Sequence, residues 1–113
     1  MRHEVTDDDT ARALGSGEIE VLGTPRLLAW LEAATVEAAK PLLADGETTV
    51  GTGVRIRHRR PTRVGGRIEV TADLREREGA KLSFTVKAED GDGQVVGDGE
   101  IDRAVVDAAS FGQ

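Results

Sequence analysis

Three residues able to do acid–base or nucleophilic chemistry stand out: Glu32, His58 and Thr24. Glu32 lies in Thr24-Pro25-Arg26-Leu27-Leu28-Ala29-Trp30-Leu31-Glu32-Ala33-Ala34-Thr35-Val36, the most apolar helical pattern of the chain. Its neighbours at three and four positions are Leu28, Ala29, Thr35 and Val36. A carboxylate on such a face loses hydration unless it is paired, protonated or kept for chemistry. The plainer reading places it at the edge of the apolar stripe, reaching water. His58 ends an alternating run, and a buried acid and imidazole at one interface are components of general acid–base or nucleophilic catalysis. The plainer reading of His58 is a core histidine satisfied by a backbone group, or one facing water at a strand end. Thr24 suits helix capping and also carries a hydroxyl that positions water.

These residues depend on one helix and a set of strands. Thr24 as N-cap and Pro25 in the first helical position start a helix whose pattern runs to about Leu43, with Pro41 distorting the last turn and Asp45-Gly46 ending it. Alternation then predicts strands over Thr48–His58, Arg67–Glu76, Lys81–Glu89 and Val95–Asp107, separated by the turn signals Glu78-Gly79 and Asp90-Gly91-Asp92-Gly93. In the first of these, parity puts Val50, Thr52, Val54, Ile56 and His58 on one face, toward the helix, and Gly51, Gly53, Arg55 and Arg57 on the other. That parity sends His58 and Glu32 into the same helix–sheet layer, where each lowers the other's burial cost. Residues 2–6 read as a short first strand, Asp7–Leu14 as a capped helical turn, and Glu18–Val21 as a short extended piece. Short turns make successive strands antiparallel neighbours. The fold class is α+β, an antiparallel sheet of about five strands wrapped around one long central helix.

Composition bounds the rest. A chain of 113 residues reads as a single domain over 1–113. Its hydrophobic share of 38% is lean for a freestanding monomer and favours self-association. A net charge of −6 argues against a general nucleic-acid binder, and the absence of cysteine excludes disulfides and thiolate chemistry. No run approaches a membrane span, and the first residues carry no apolar leader, so a soluble cytoplasmic protein with no membrane partner is expected. Within this acidic chain, residues 55–67 hold Arg55, Arg57, Arg59, Arg60, Arg63 and Arg67 without one acid. That segment is either a solvated face or a phosphate site, to which guanidinium forks are well matched. Nucleic acid ranks last, because few aromatics are free to stack.

The run Gly23-Thr24-Pro25 … Leu31-Glu32-Ala33-Ala34 … Pro41-Leu42-Leu43, then Val50-Gly51-Thr52-Gly53-Val54 … Arg57-His58, resembles the hot-dog-fold thioesterases, within them fluoroacetyl-CoA thioesterase and its relatives. That group has a threonine at the helix start, a glutamate eight residues on, and a histidine near the end of the next strand. Thr24, Glu32 and His58 fall on those positions. Gly97-Asp98-Gly99-Glu100-Ile101-Asp102-Arg103 resembles the family's last strand, and the likeness covers roughly residues 20–111. The first 20 residues, which help cover the substrate in relatives, match less.

The resemblance implies hydrolysis of a small acyl-CoA thioester, with CoA present only as part of the substrate and with no metal. It also implies a homodimer with sites between subunits. Glu32 would act as nucleophile or as general base, His58 would orient or protonate, and Thr24 would position water or thioester. N–H groups from Gly23 to Arg26 would hold the carbonyl oxygen. Arg59, Arg60 and Arg63 would meet the CoA phosphates, and Gly97 and Gly99 would permit close approach of a backbone or of the pantetheine arm. A non-catalytic acyl-CoA or small-ligand binding protein is the alternative, since fold does not fix function. Hot-dog hydratases are disfavoured, because they usually show a closely spaced aspartate–histidine pair and this chain has no histidine between His3 and His58.

Overall fold

The computed structural model describes residues 1–112. Five strands, β1 (Arg2–Glu4), β2 (Glu47–His58), β3 (Arg67–Glu78), β4 (Lys81–Asp90) and β5 (Val95–Asp107), form one sheet in the order β1-β3-β4-β5-β2. Every neighbouring pair is antiparallel. Two helices precede β2: α1 (Ala11–Leu14) and α2 (Thr24–Ala39). The sheet curls around α2, which buries Leu27, Leu31 and Ala34 against Val70, Phe84 and Ile101. Each fully buried leucine contributes about 1.5–3 kcal/mol relative to exposure. Among the described residues, no helix is long and apolar enough to cross a membrane.

The helix departs from expectation at both ends. Gly23 is the N-cap, with Thr24 and Pro25 the first two helical residues, so the Thr24 hydroxyl is not used for capping. At the other end α2 stops at Ala39, and Lys40–Leu42 tighten into a 3-10 turn, because Pro41 cannot supply an N–H to an α-helical ladder. Residues 18–21 do not form a strand. The chain there bends, and only isolated bridges, Val21 to Arg63 and Thr10 to Leu22, tie its end down. Thr10 rather than an aspartate caps α1, its hydroxyl accepting from the Ala13 N–H at 3.1 Å.

Strand β2 differs most. Its pairing with β5 slips between Gly51 and Gly53, a bulge that sets Gly51 opposite Arg103 and Gly53 opposite Asp102. One extra residue reverses side-chain parity on either side of it. Before the bulge Thr49 and Gly51 turn toward the helix, not Val50. After it Ile56 and His58 do, as alternation predicts. Gly97 and Gly99 face this strand across the ladder, opposite His58 and Ile56. A Cβ on Gly97 would stand 2.8 Å from Leu27 Cδ2, and one on Gly99 would overlap the Arg55 carbonyl oxygen. The close approach they permit is therefore to the chain's own Leu27 and β2 backbone. β2 is also an edge strand of 12 residues, with no strand paired to its outer side among the described residues, and Val54 there is 39% exposed. A long bare edge of this kind demands a cover.

Candidate active site

Two clusters flank the helix–β2 layer. In the first, Thr24 Oγ1 lies 2.8 Å from His58 Nδ1, within one chain. Thr24 is exposed at the first turn of α2, and His58 is half-buried at the end of β2. The His58 Nε2 is buried without a hydrogen-bond partner among the described residues. Burial lowers the His58 pKa, and the backbone of Arg60 opposes this in part. The imidazole is thereby held neutral toward lower pH, and with its proton on Nε2 the Nδ1 accepts from the Thr24 hydroxyl. The pair can pass a proton from a hydroxyl or a water to the imidazole and back.

The backbone donors around Thr24 are mostly spent. Gly23 N–H donates to the Asp9 carbonyl at 2.9 Å, so Gly23 is unavailable as an oxyanion donor. Arg26 N–H donates to Gly23 O at 3.1 Å, and Pro25 has no N–H. Thr24 N–H is the first-turn donor left without a partner among the described residues. Asp9 reinforces the corner, its carboxylate standing 2.9 Å from Arg26 Nε.

The second cluster surrounds Glu32. Its side chain is 38% exposed and stands 3.8 Å from Arg103 Nη1, an ion pair beyond hydrogen-bond distance. Arg103 is only 6% exposed. Its Nε donates to Thr49 Oγ1 at 2.8 Å and its Nη2 to the Thr49 carbonyl at 3.1 Å. Burial lowers the Arg103 pKa and Glu32 opposes the shift, so the guanidinium stays cationic. A Cβ on Gly51 would come within 3.0 Å of Glu32 Oε2, so a larger residue there would push the carboxylate aside.

Glu32 and His58 are thus not brought together within one chain. Thr24 and Glu32 stand two helical turns apart, about 12 Å along the axis. Glu32 has Gly51 and Arg103 as its neighbours, and the imidazole lies at the other end of the layer. Arg103 and Thr49 escaped sequence reasoning. The available signal was Arg103 itself, a charge alternating with Ile101 and Val105 on a strand's apolar face.

A cleft of about 330 Å³ opens beside the Thr24–His58 pair, walled by Ala11, Ile19, Val21 and Leu22. Arg59 and Arg60 stand at its border. Arg63 does not; it faces a separate depression with Asp7, Glu18 and Glu20. The basic segment is also less bare than its sequence. β5 sets acids opposite it, so Arg55 meets Glu100 at 2.9 Å and Arg59 meets Asp98 at 3.0 Å. Arg60 has no ion-pair partner among the described residues.

Known proteins share this fold. The family profile described as fluoroacetyl-CoA-specific thioesterase matches residues 5–109. The fluoroacetyl-CoA thioesterase of Streptantibioticus cattleyicolor is 38% identical over 92 residues, which span 81% of this chain and 66% of that protein's length. A crystal structure of a point mutant of the fluoroacetyl-CoA-specific thioesterase FlK, in complex with fluoroacetate and CoA, superposes with a TM-score of 0.90 at 33% identity, covering 98% of this chain and 93% of its own. A Thermus thermophilus thioesterase superfamily member gives 0.89 at 26% identity, with 96% and 80% covered.

Proposed function

The chain belongs to the fluoroacetyl-CoA-specific thioesterase family, and from that premise we propose that it hydrolyses a small acyl-CoA thioester to the free acid and CoA, at sites shared between two subunits. The observation that carries this reading is the 2.8 Å contact of Thr24 Oγ1 with His58 Nδ1 at the mouth of a cleft. Each chain carries the dyad at one end of the layer and a held carboxylate at the other. A two-fold pairing of the bare β2 edge, with Gly51 opposite the partner's His58, sets the Glu32 of each subunit beside the dyad of the other. It also covers the unpaired edge.

In such a site Glu32 takes a proton from water as that water attacks the thioester carbon, and the proton reaches the departing CoA sulfur by way of the Thr24 hydroxyl and neutral His58 as the C–S bond breaks. Alternatively the Glu32 carboxylate attacks the carbon itself, CoA leaves as the thiolate, and water hydrolyses the resulting anhydride to the free acid and the carboxylate, His58 taking the proton of that water and passing it to the thiolate. The Thr24 N–H donates to the developing oxyanion at the positive end of α2. Arg103 holds Glu32 in place. Arg59 and Arg60 are assigned to the CoA phosphates. Arg63, among three acids, is a poor phosphate ligand, and Gly97 and Gly99 are assigned to packing.

Mixing two inactive variants tests the shared site. Glu32→Gln and His58→Ala subunits, exchanged into heterodimers, leave one intact site per heterodimer and should recover about a quarter of wild-type activity after statistical mixing. No recovery would place both residues in one chain's site. Light scattering that gave the single-chain mass of 12.0 kDa would remove the dimer.

A further inference from the structure

The Arg103 guanidinium spends two of its nitrogens on Thr49 and keeps the third back from Glu32. Nε donates to Thr49 Oγ1 at 2.8 Å, Nη2 donates to the Thr49 carbonyl at 3.1 Å, and Nη1 stands 3.8 Å from Glu32 Oε2. Glu32 is the one ion-pair partner of Arg103 among the described residues. An arginine with a single carboxylate in reach is most strongly bound as a two-bond fork, with contacts of roughly 2.8 Å. Here that fork is turned to Thr49 instead, which is 8% exposed and faces the helix from the stretch of β2 before the bulge. The set-back has a chemical consequence. Coulomb attraction falls as the inverse of distance, so at 3.8 Å it keeps about three-quarters of its value at contact, while the hydrogen bond is gone. The Glu32 carboxylate accepts no hydrogen bond among the described residues. It is held by charge with its lone pairs unused, whereas a carboxylate gripped by a guanidinium fork is a poorer base and nucleophile.

We propose that Thr49 is a positioning residue for the hydrolysis: by taking Nε and Nη2 of Arg103 it holds the guanidinium back from Glu32, so that the carboxylate is oriented and still free to act. The proposal rests on the thioesterase reading above and adds to it a residue that acts only through Arg103. The hydroxyl is the half of the device that a substitution can remove. The Thr49 carbonyl accepts from Nη2 whatever the side chain, but Nε has Oγ1 as its acceptor. Thr49→Val keeps the shape and the β-branch and deletes that acceptor. A buried Nε–H without an acceptor is costly, so the guanidinium gains by turning its fork onto Glu32.

The test measures kcat and KM on the fastest of acetyl-, butyryl- and hexanoyl-CoA, at a temperature where every variant is folded. Thr49→Val should lower kcat at least about tenfold, toward the roughly 100-fold that a misplacement of about 1 Å costs, with KM within about twofold. Thr49→Ser retains the acceptor and should stay within about threefold of wild type. In a Glu32→Gln background, Thr49→Val should change the residual rate less than about twofold, because its effect runs through the carboxylate. A Thr49→Val protein with wild-type kcat overturns the proposal. So does a Thr49→Val loss that multiplies in full with that of Glu32→Gln, since Thr49 would then serve the fold or another group. Crystal structures of wild type and Thr49→Val test the placement without activity. The Arg103–Glu32 gap should close to roughly 2.8 Å in the variant, and an unchanged gap overturns the proposal. If wild type hydrolyses none of the three substrates, the thioesterase reading falls, and this distance still decides whether Thr49 holds the guanidinium back. If Thr49→Val does not fold, hydrogen exchange at the Arg103 Nε–H of wild type decides instead. A protected proton upholds the placement, and one that exchanges as fast as in an exposed arginine overturns it.

Discussion

The two ends of the α2–β2 layer solve opposite electrostatic problems. At the Thr24–His58 end burial pushes the imidazole toward neutrality against the backbone of Arg60, and the hydroxyl freed from capping is its partner. At the other end a buried arginine, tied twice to Thr49, holds a half-exposed carboxylate at 3.8 Å. A neutral imidazole is useful as a base and then as an acid, and an ionised carboxylate as a nucleophile or base. Hydrolysis of a thioester wants both, yet one chain keeps them two helical turns apart. In the dimer proposed above, the separation makes each chain two half-sites rather than one poor site. It also gives the bare edge of β2, lying between the two ends, a reason to be bare.

The comparison breaks most sharply at Glu32. Glu32→Gln keeps the shape and removes the nucleophile or base, so hydrolysis should fall at least about 100-fold. The same change leaves Arg103 with Thr49 as its remaining partner, so stability should fall by only about 1–2 kcal/mol, since the carboxylate was half-exposed. The thioesterase rate and the melting temperature, measured on one preparation, separate the two effects. A fully active Glu32→Gln protein would remove the carboxylate from the chemistry and favour a ligand-binding role.

Arg103 is the converse case, with stability the larger effect. Arg103→Ala empties a buried site, orphans Thr49 and frees Glu32, and should cost about 3 kcal/mol. The melting temperature should drop by on the order of 10 °C for a chain of this size. Arg103→Lys should restore part of that, since an ammonium keeps the charge without the fork. A melting temperature unchanged in Arg103→Ala would mean that the ion pair does not organise this end.

How much of this was legible in the sequence follows from how local each feature is. Helix α2 announced itself through Pro25 and the stripe Leu27, Leu31, Ala34, which are neighbours along one helix face. The strands did so through alternation. Thr24, Glu32 and His58 were found because each is a polar group in an apolar pattern or falls at family spacing. What failed was pairing. The bulge sits in Val50-Gly51-Thr52-Gly53-Val54, where glycines leave the inward face undefined and either parity fits. Glu32 and His58 do enter the same layer, but which turn of α2 lies over which residue of β2 is not reported by alternation, and it sets them at opposite ends. The arginine segment looked unpaired because its acids, Asp98 and Glu100, lie some 40 residues on and become neighbours only through the β2–β5 register. Capping and catalysis both stayed open for the Thr24 hydroxyl because its partner, His58, is 34 residues away.

Arg60 gives a smaller effect, confined to binding. Arg60→Ala should raise the KM for acyl-CoA by about 3- to 10-fold, the range of losing one exposed charge-assisted contact, and leave acyl-pantetheine unchanged. Equal effects on both substrates would take Arg60 off the phosphates.

The smallest effect expected is on pH dependence, and its direction is fixed by burial. His58 in the folded protein has a pKa below its ordinary 6.5, with burial the first cause. Activity that needs the neutral imidazole should therefore persist below pH 6.5, and the acid limb of kcat/KM should lie lower than for a free histidine. Stability follows the opposite course. As pH falls through 6.5 the unfolded chain takes up a proton that folded His58 resists, so the unfolded state binds more protons and the folded state loses ground. The His58 contribution is full above the unfolded pKa and declines as pH drops toward the folded one. His3, also lowered by burial where it stacks on Trp30, adds a decline of the same sign. Melting temperatures between pH 8 and pH 5 for wild type, His58→Asn and His3→Asn should separate the two, each variant flattening part of the slope. An acid limb of activity above pH 6.5 would mean that a charged neighbour, not burial, governs the imidazole in the assembled site. Because Glu32 of the other subunit is the charge proposed to stand there, repeating the profile in Glu32→Gln, on its residual activity, tells which neighbour moved it.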